Sequence, residues 1–236
     1  VSCWSKIDPP TQFSINSDVG QIDVPSLENP ILISTGNKRS CAVDDTGVVC
    51  WGRLSGAEHD GPNLVNPTEL AVATDGSSIC AIDDTGVVCW GQNNNYGQLS
   101  PPELINPRSL TAGNVNFCAV GDSGAACWGG GEQEQSFLDV TSLQNPTQIS
   151  AGHGSTCAVD ESGVVCMGWI TDYGDIPELS DPTMVSVGGS NACAIDDLGV
   201  RCWGTASYDG HLLLKVPTLK NPSAVSVSTV ASLGMH

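Results

Sequence analysis

The sequence is poor in positive charge. Lysine and arginine number 8 against 26 aspartates and glutamates, a formal net charge of −18. Such a surface repels a nucleic-acid backbone, which excludes DNA and RNA as partners and suits a basic protein. Aromatic residues make up only 5% of the chain, so those outside a core are conspicuous. No apolar run approaches the roughly 18 residues of a membrane-spanning helix, and no signal peptide opens the sequence. Membrane insertion is not expected, and an exported protein would be represented here by its mature or excised form. Patterns for catalysis are missing too. His59, His153, His211 and His236 have no metal-ligand spacing, no Gly-x-Ser-x-Gly elbow occurs, and Gly129-Gly130-Gly131 lacks the Lys-Ser/Thr of a phosphate loop. No enzyme activity, cofactor or metal is expected. Asn66, Asn145 and Asn221 each precede proline, which removes them as N-glycosylation acceptors.

Cysteine, in contrast, is abundant: 11 in 236 residues, ten of them paired at a constant C-x8-C spacing. Residues Cys41 to Gly52 read CAVDDTGVVCWG. The stretch recurs as CAIDDTGVVCWG from Cys80, CAVGDSGAACWG from Cys118, CAVDESGVVCMG from Cys157 and CAIDDLGVRCWG from Cys193. Two runs of β-prone residues flank a turn cluster with Gly where positive φ is needed, which predicts a hairpin. The pairing points to an oxidising compartment and one disulfide per hairpin: Cys41–Cys50, Cys80–Cys89, Cys118–Cys127, Cys157–Cys166 and Cys193–Cys202, with Cys3 left over. Zinc ligands come instead as closer C-x2-4-C pairs that converge in fours. A bulge at the turn glycine would slip the register by one residue, so counting alone does not put each pair directly opposite.

A second marker, Leu-x-Asn/Asp-Pro, occurs six times, at Leu27–Pro30, Leu64–Pro67, Leu104–Pro107, Leu143–Pro146, Leu179–Pro182 and Leu219–Pro222. Each is followed by a short run that reads as an opening strand, the last over Ala224, Val225 and Ser226. With a spacing near 39 residues between first cysteines, the chain is predicted to be a single repeat domain over 1–236. Val1-Ser2-Cys3-Trp4 matches Val48-Val49-Cys50-Trp51, and Pro222 to Val227 matches Pro182 to Val187. The two ends are thus expected to complete one unit, although Leu233 stands where the partner of Cys3 belongs. The predicted fold is an all-β propeller of six four-stranded blades closed by both termini, the alternative being a truncated seven-bladed ring.

The stretch CAIDDTGVVCWGQNNNYGQLS, from Cys80 to Ser100, resembles the signature repeat of the regulator of chromosome condensation family, in which a hairpin ending in Trp-Gly precedes Asn-x-x-Gly-Gln-Leu. The resemblance implies a β-propeller with four-stranded blades, usually seven. Its cysteine pairs look like those of secreted, disulfide-bearing relatives. Met167 replaces one Trp, and most copies lack Gly-Gln-Leu.

The turn acids Asp44, Asp45, Asp83, Asp84, Asp122, Asp160, Glu161, Asp196 and Asp197 should ring one rim, where Asp before Gly is ordinary turn chemistry. Trp4, Trp51, Trp90, Trp128 and Trp203 are predicted to pack between blades. Alternating strand directions put the variable loops on the opposite face, which would display Lys38, Arg39, His59, Asn94, Tyr96, Glu132, Glu134, Trp169, Tyr173, Tyr208 and His211. Trp169 with Tyr173 is the leading aromatic candidate. The expected function is non-catalytic: an extracellular recognition or scaffold module that binds another protein, either basic or part of a larger assembly, through these loops. The alternatives are guanine-nucleotide exchange on a small GTPase, which needs a reducing compartment, and glycan binding between blades.

Overall fold

The computed structural model describes residues 23–36, 39–52, 61–92, 94–131, 138–172, 174–204, 216 and 219–227. Strands β1 (Leu32–Gly36), β2 (Arg39–Asp44) and β3 (Gly47–Gly52) form the first antiparallel sheet. The next four repeat it: β4 (Glu69–Val72), β5 (Ser78–Asp83) and β6 (Gly86–Gly91); β7 (Arg108–Ala112), β8 (Asn116–Gly121) and β9 (Gly124–Gly129); β10 (Gln148–Ala151), β11 (Ser155–Asp160) and β12 (Gly163–Gly168); β13 (Met184–Val187), β14 (Asn191–Asp196) and β15 (Gly199–Gly204).

Each hairpin closes on a two-residue turn, pairing Asp44 with Gly47 in the first copy and the equivalent residues in the others. The closing glycine has φ between +115° and +122°, and nothing lies within 4 Å of where its Cβ would be. Backbone conformation, not space, demands glycine there. The register then runs on without a slip and sets each pair of cysteines directly opposite. All five pairs are bonded as predicted, with Cα–Cα distances of 4.0 or 4.1 Å.

The two faces of a sheet meet different neighbours. Cys41 packs with Val72, Ile79 and Trp90 of the second sheet, and Cys80 with Phe117, Ala119 and Trp128 of the third. Cys118 packs with Ile149, Ala158 and Met167 of the fourth, and Cys157 with Val185, Ala194 and Trp203 of the fifth. Each of the first four disulfides therefore lies against the following sheet's tryptophan, or against Met167 where tryptophan is absent. The indole nitrogens of Trp90, Trp128 and Trp203 are buried without a hydrogen-bond acceptor, as expected of rings packed on sulfur and alkyl groups. The core is a series of small interfaces between sheets, repeated along the chain.

Side-chain hydrogen bonds also stitch the first strands of neighbouring sheets together. Ser34 Oγ accepts the Val72 N–H at 3.0 Å, Thr111 Oγ1 that of Ala151 at 3.1 Å, and Ser150 Oγ that of Val187 at 3.1 Å. The Gln148 amide imitates a peptide group, donating to Val185 O and accepting from Val185 N, both at 3.0 Å. The second sheet has Ala71 at the hydroxyl position. There Glu69 accepts the N–H groups of Ser109 and Leu110 at 2.8 and 2.5 Å, where β7 bulges and Ser109 has φ +55°.

Two expectations go beyond what the described residues show. Blades of four strands were predicted, and the described residues form three strands in each sheet. In the two connections described almost throughout, the chain turns repeatedly between Asn94 and Ser100 or forms a 3-10 turn at Trp169–Asp172. Ala224–Ser226 forms no strand either, having no ladder partner among the described residues, but Val227 N–H reaches Ser186 Oγ at 3.0 Å and continues the stitch into a sixth repeat. Val1–Ser5, Cys3 and Leu233 lie outside the described residues.

Candidate recognition face

The strand directions create two rims. The β2–β3 type of turn and the Leu-x-Asn-Pro linker share one, and the loops joining first to second strands share the other with the segments that leave each third strand.

On the loop rim, Trp169 is the most firmly built feature. Its N–H donates to Gly154 O at 2.9 Å, and the indole lies over Gly154, where a Cβ would come within 2.6 Å of Cδ2 and Cε3. Gly154 has φ +76°, so both backbone and space require glycine. The His153 ring meets the indole edge-on, with centroids 5.3 Å apart. The next residue, Ile170, is buried in the fourth interface and donates its N–H to Ser155 Oγ at 2.9 Å, and that hydroxyl donates to Gly189 O at 2.8 Å. On this base Trp169 remains 49% exposed.

Tyr96, 54% exposed, stands on a similarly braced loop. Gln98 is buried and accepts the Tyr96 N–H at 2.9 Å, while Asn94 accepts the Leu99 N–H and donates to Ser100 Oγ, both at 2.7 Å. Asn94, an exposed residue that the sequence placed among the binding candidates, thus also braces the loop. Arg39 is also relocated: it is 3% exposed, and its guanidinium donates to Gly76 O of the next sheet at 3.1 Å. The structure adds His153 and Gly154, for which the only sequence signal was the short Gly-His-Gly of one loop. Lys38, His59, Glu132, Glu134, Tyr173, Tyr208 and His211 lie outside the described residues.

The opposite rim repeats one clasp. In the first copy Glu28 N–H donates to Asp44 at 2.8 Å, Asp45 N–H donates to Glu28 O at 2.9 Å, and the Asn29 amide donates to the Asp45 carboxylate at 2.6 Å. Asn29 has φ +48°, a conformation that Asn and Asp tolerate better than other side-chain-bearing residues. The linker marker and the acidic turn are therefore two halves of one device. Hydrogen bonds from Thr46 and then from the Glu28 backbone hold the Asp44 carboxyl below the usual range. At Asp83, Asp160 and Asp196, partial burial pushes upward but is outweighed by bonds from the turn and the linker, so these too are lowered. No group of ligands suited to a metal ion occurs among the described residues, and none of their helices is long and apolar enough to cross a membrane.

Neither a protein-family model nor a curated protein sequence matches the chain. Solved structures do. The ectodomain of the Physcomitrella patens receptor kinase CR4 matches with a TM-score of 0.67 at 19% identity, over 89% of this chain and 60% of that one. The CRINKLY WD40 ectodomain of the Arabidopsis thaliana receptor kinase ACR4 gives 0.62 at 21%, over 84% and 71%. Prp20p from Saccharomyces cerevisiae, described together with its binding to Gsp1p and histones, gives 0.55 at 16%, over 74% and 58%. The chain thus spans 60% of the length of the moss ectodomain. At such identities the likeness is one of fold, and this chain is an all-β, propeller-like array of disulfide-closed sheets similar to receptor-kinase ectodomains and to Prp20p.

Proposed function

We propose that the protein is a non-catalytic recognition module of an oxidising, extracellular setting that holds a protein partner on its loop rim. The observation that carries this reading is Trp169, half exposed on a platform of glycine, histidine and buried isoleucine. A large aromatic fixed before binding loses little freedom when a partner covers it, which is the physics of an interface hot spot. Five buried or half-buried disulfides support the compartment, and the ectodomain and Prp20p likenesses supply precedents for the fold as a binding surface.

The same reading takes the sheets as propeller blades and residues 219–227 as the opening of a sixth unit. Ile33 is 48% exposed, whereas Ile149 and Val185 at the same place in later sheets are 1% exposed. Cys193 is only half-buried, while the four earlier first cysteines are fully buried. A sixth unit between the fifth sheet and the first would cover both faces.

The test is a partner recovered by crosslinking from the native extracellular fraction and then titrated. Trp169→Ala is expected to weaken its binding about thirtyfold or more, and Tyr96→Ala less, with the melting temperature nearly unchanged. Unaltered affinity in both variants would remove the loop rim as the working face.

A further inference from the structure

Three of the five clasps make the same three hydrogen bonds, the third lacks one because Gly121 replaces the turn Asp, and the fifth departs at three other positions together. Asp181 stands where the other linkers carry Asn, Leu198 where the other turns carry Thr or Ser, and Arg201 where the other third strands carry Val or Ala. The backbone does not change. Asp181 has φ +48°, within the +46° to +49° of the asparagines, and the Asp197 N–H donates to Ser180 O at 3.0 Å, as its counterparts do at 2.9 to 3.0 Å. Asp181 therefore presents a carboxylate to Asp197 where Asn29, Asn66, Asn106 and Asn145 each donate an amide at 2.6 Å. Neither side chain has a hydrogen-bond partner among the described residues.

Leu198 keeps only the backbone part of the turn, its N–H donating to Asp196 at 2.9 Å. Its side chain is 71% exposed. A missing neighbour is not the cause, because Thr46, Thr85, Ser123 and Ser162 are exposed at the same place beside complete following sheets. Arg201 Nε lies 3.3 Å from Asp196 Oδ2, an ion pair at the oxygen that accepts the Ser180 N–H, whereas the turn hydroxyls of the first, second and fourth copies bond the other oxygen. Among the described residues Asp196 Oδ1 is left with the Leu198 N–H alone, and the side chain at position 198 takes no part in the turn. An open cleft of about 390 Å³ adjoins, lined by Asp197, Leu198, Leu219 and Lys220 among others, and Leu219 is itself half exposed.

We propose that this corner docks a peptide segment of a protein partner in which Lys or Arg stands beside an aliphatic residue. The cation is taken by the carboxylates of Asp181 and Asp197, and the aliphatic side chain rests on Leu198 and Leu219. Charge complementarity fixes the choice of a basic occupant: the chain carries −18, the carboxylates of Asp181 and Asp197 have no hydrogen-bond partner among the described residues, and Lys220 is the one basic residue in the cleft's described lining. The site is on the rim opposite Trp169 and stands independently of the function proposed above.

The probe is a set of synthetic hexapeptides pairing Arg or Lys with Leu or Val, with Glu-for-Arg/Lys peptides as controls, titrated into the full chain and followed by amide NMR shifts. The basic peptides should bind and move the amides of Asp181, Asp197 and Leu198, and the acidic controls should not. Asp181→Asn and Leu198→Thr should each weaken binding by about tenfold, and because both restore what other repeats carry, the fold is preserved. Absence of binding, binding that survives both substitutions, or shifts at this corner with calcium alone would overturn the proposal.

Discussion

The two rims use repetition in opposite ways. On the turn rim the same residues recur because the same three hydrogen bonds recur in the first, second and fourth sheets, made by Glu28, Asn29, Asp44 and Asp45 in the first and by Gln144, Asn145, Asp160 and Glu161 in the fourth. On the loop rim each connection is held by its own device: a glycine seat and an imidazole edge for Trp169, a buried glutamine for the Tyr96 loop, a guanidinium between the first and second sheets. Sameness between repeats marks what the fold requires. Difference marks what it leaves free, and a partner that distinguishes one protein from another needs such asymmetry.

The comparison breaks most violently if the framework shared by both rims is removed. A disulfide closing a loop of about ten residues stabilises by about 2–3 kcal/mol in the chain-entropy account. Cys157→Ser with Cys166→Ser also leaves polar groups against Val185, Ala194 and Trp203. Loss of at least that much stability is expected, read by chemical denaturation, together with loss of Trp169-dependent binding, since Ile170 packs in the same interface. Binding lost with stability intact would mean that the loop does not depend on the interface below it.

Acid should strike the turn rim first. The carboxyls of Asp44, Asp83, Asp160 and Asp196 are lowered in the fold, so between their folded and unfolded values the unfolded chain binds more protons. Their contribution is fully present above the unfolded value of about 3.9 and is lost as pH falls through the lowered folded values. The third turn has Gly121 in place of this Asp. Melting temperature followed below about pH 5 should therefore decline less steeply in Asp83→Ala and Asp160→Ala, each starting from a lower value, and Gly121→Asp should steepen the decline. Identical slopes in all three would detach the turn carboxylates from stability.

Much of the repeat framework was legible in the sequence because it rests on local rules. Alternating β-prone residues, a glycine at positive φ and a fixed cysteine spacing specify the hairpin without reference to anything distant. What escaped depends on partners far along the chain. Asn29 and Asp45 are 16 residues apart and Asn66 and Asp84 are 18 apart, so the linker marker read as a spacer and the acids as turn chemistry. Nothing in the local sequence marks Ser34, Thr111 and Ser150, yet each accepts an N–H from the next sheet. Arg39 looked like a surface cation, because nothing local shows that Gly76 offers it a carbonyl. The family resemblance implied a fourth strand that the connections, rich in Gly, Pro and Asn, do not form among the described residues. Trp169 was singled out correctly as exposed, but the glycine that seats it lies in another loop.

The smallest expected effect sharpens the comparison most, because it sets one clasp against its own siblings. Asp181→Asn replaces a carboxylate facing Asp197 with the amide found in the four regular copies, at an unchanged backbone conformation. It adds one exposed hydrogen bond to a charged acceptor and removes one like-charge contact. Both are surface effects, worth about 0.5 kcal/mol together, so the melting temperature should rise by about 1–2 °C for a chain of this size. The converse, Asn145→Asp, should lower it by a similar amount by setting a second carboxylate before Glu161. High salt should shrink both differences, since exposed charges are screened over a few ångströms. If Asp181→Asn instead destabilises the protein, the carboxylate has a structural partner and the fifth clasp is simply built differently. If it stabilises while weakening the basic peptides, the chain keeps a less stable turn at one corner, as expected when that corner has a binding role.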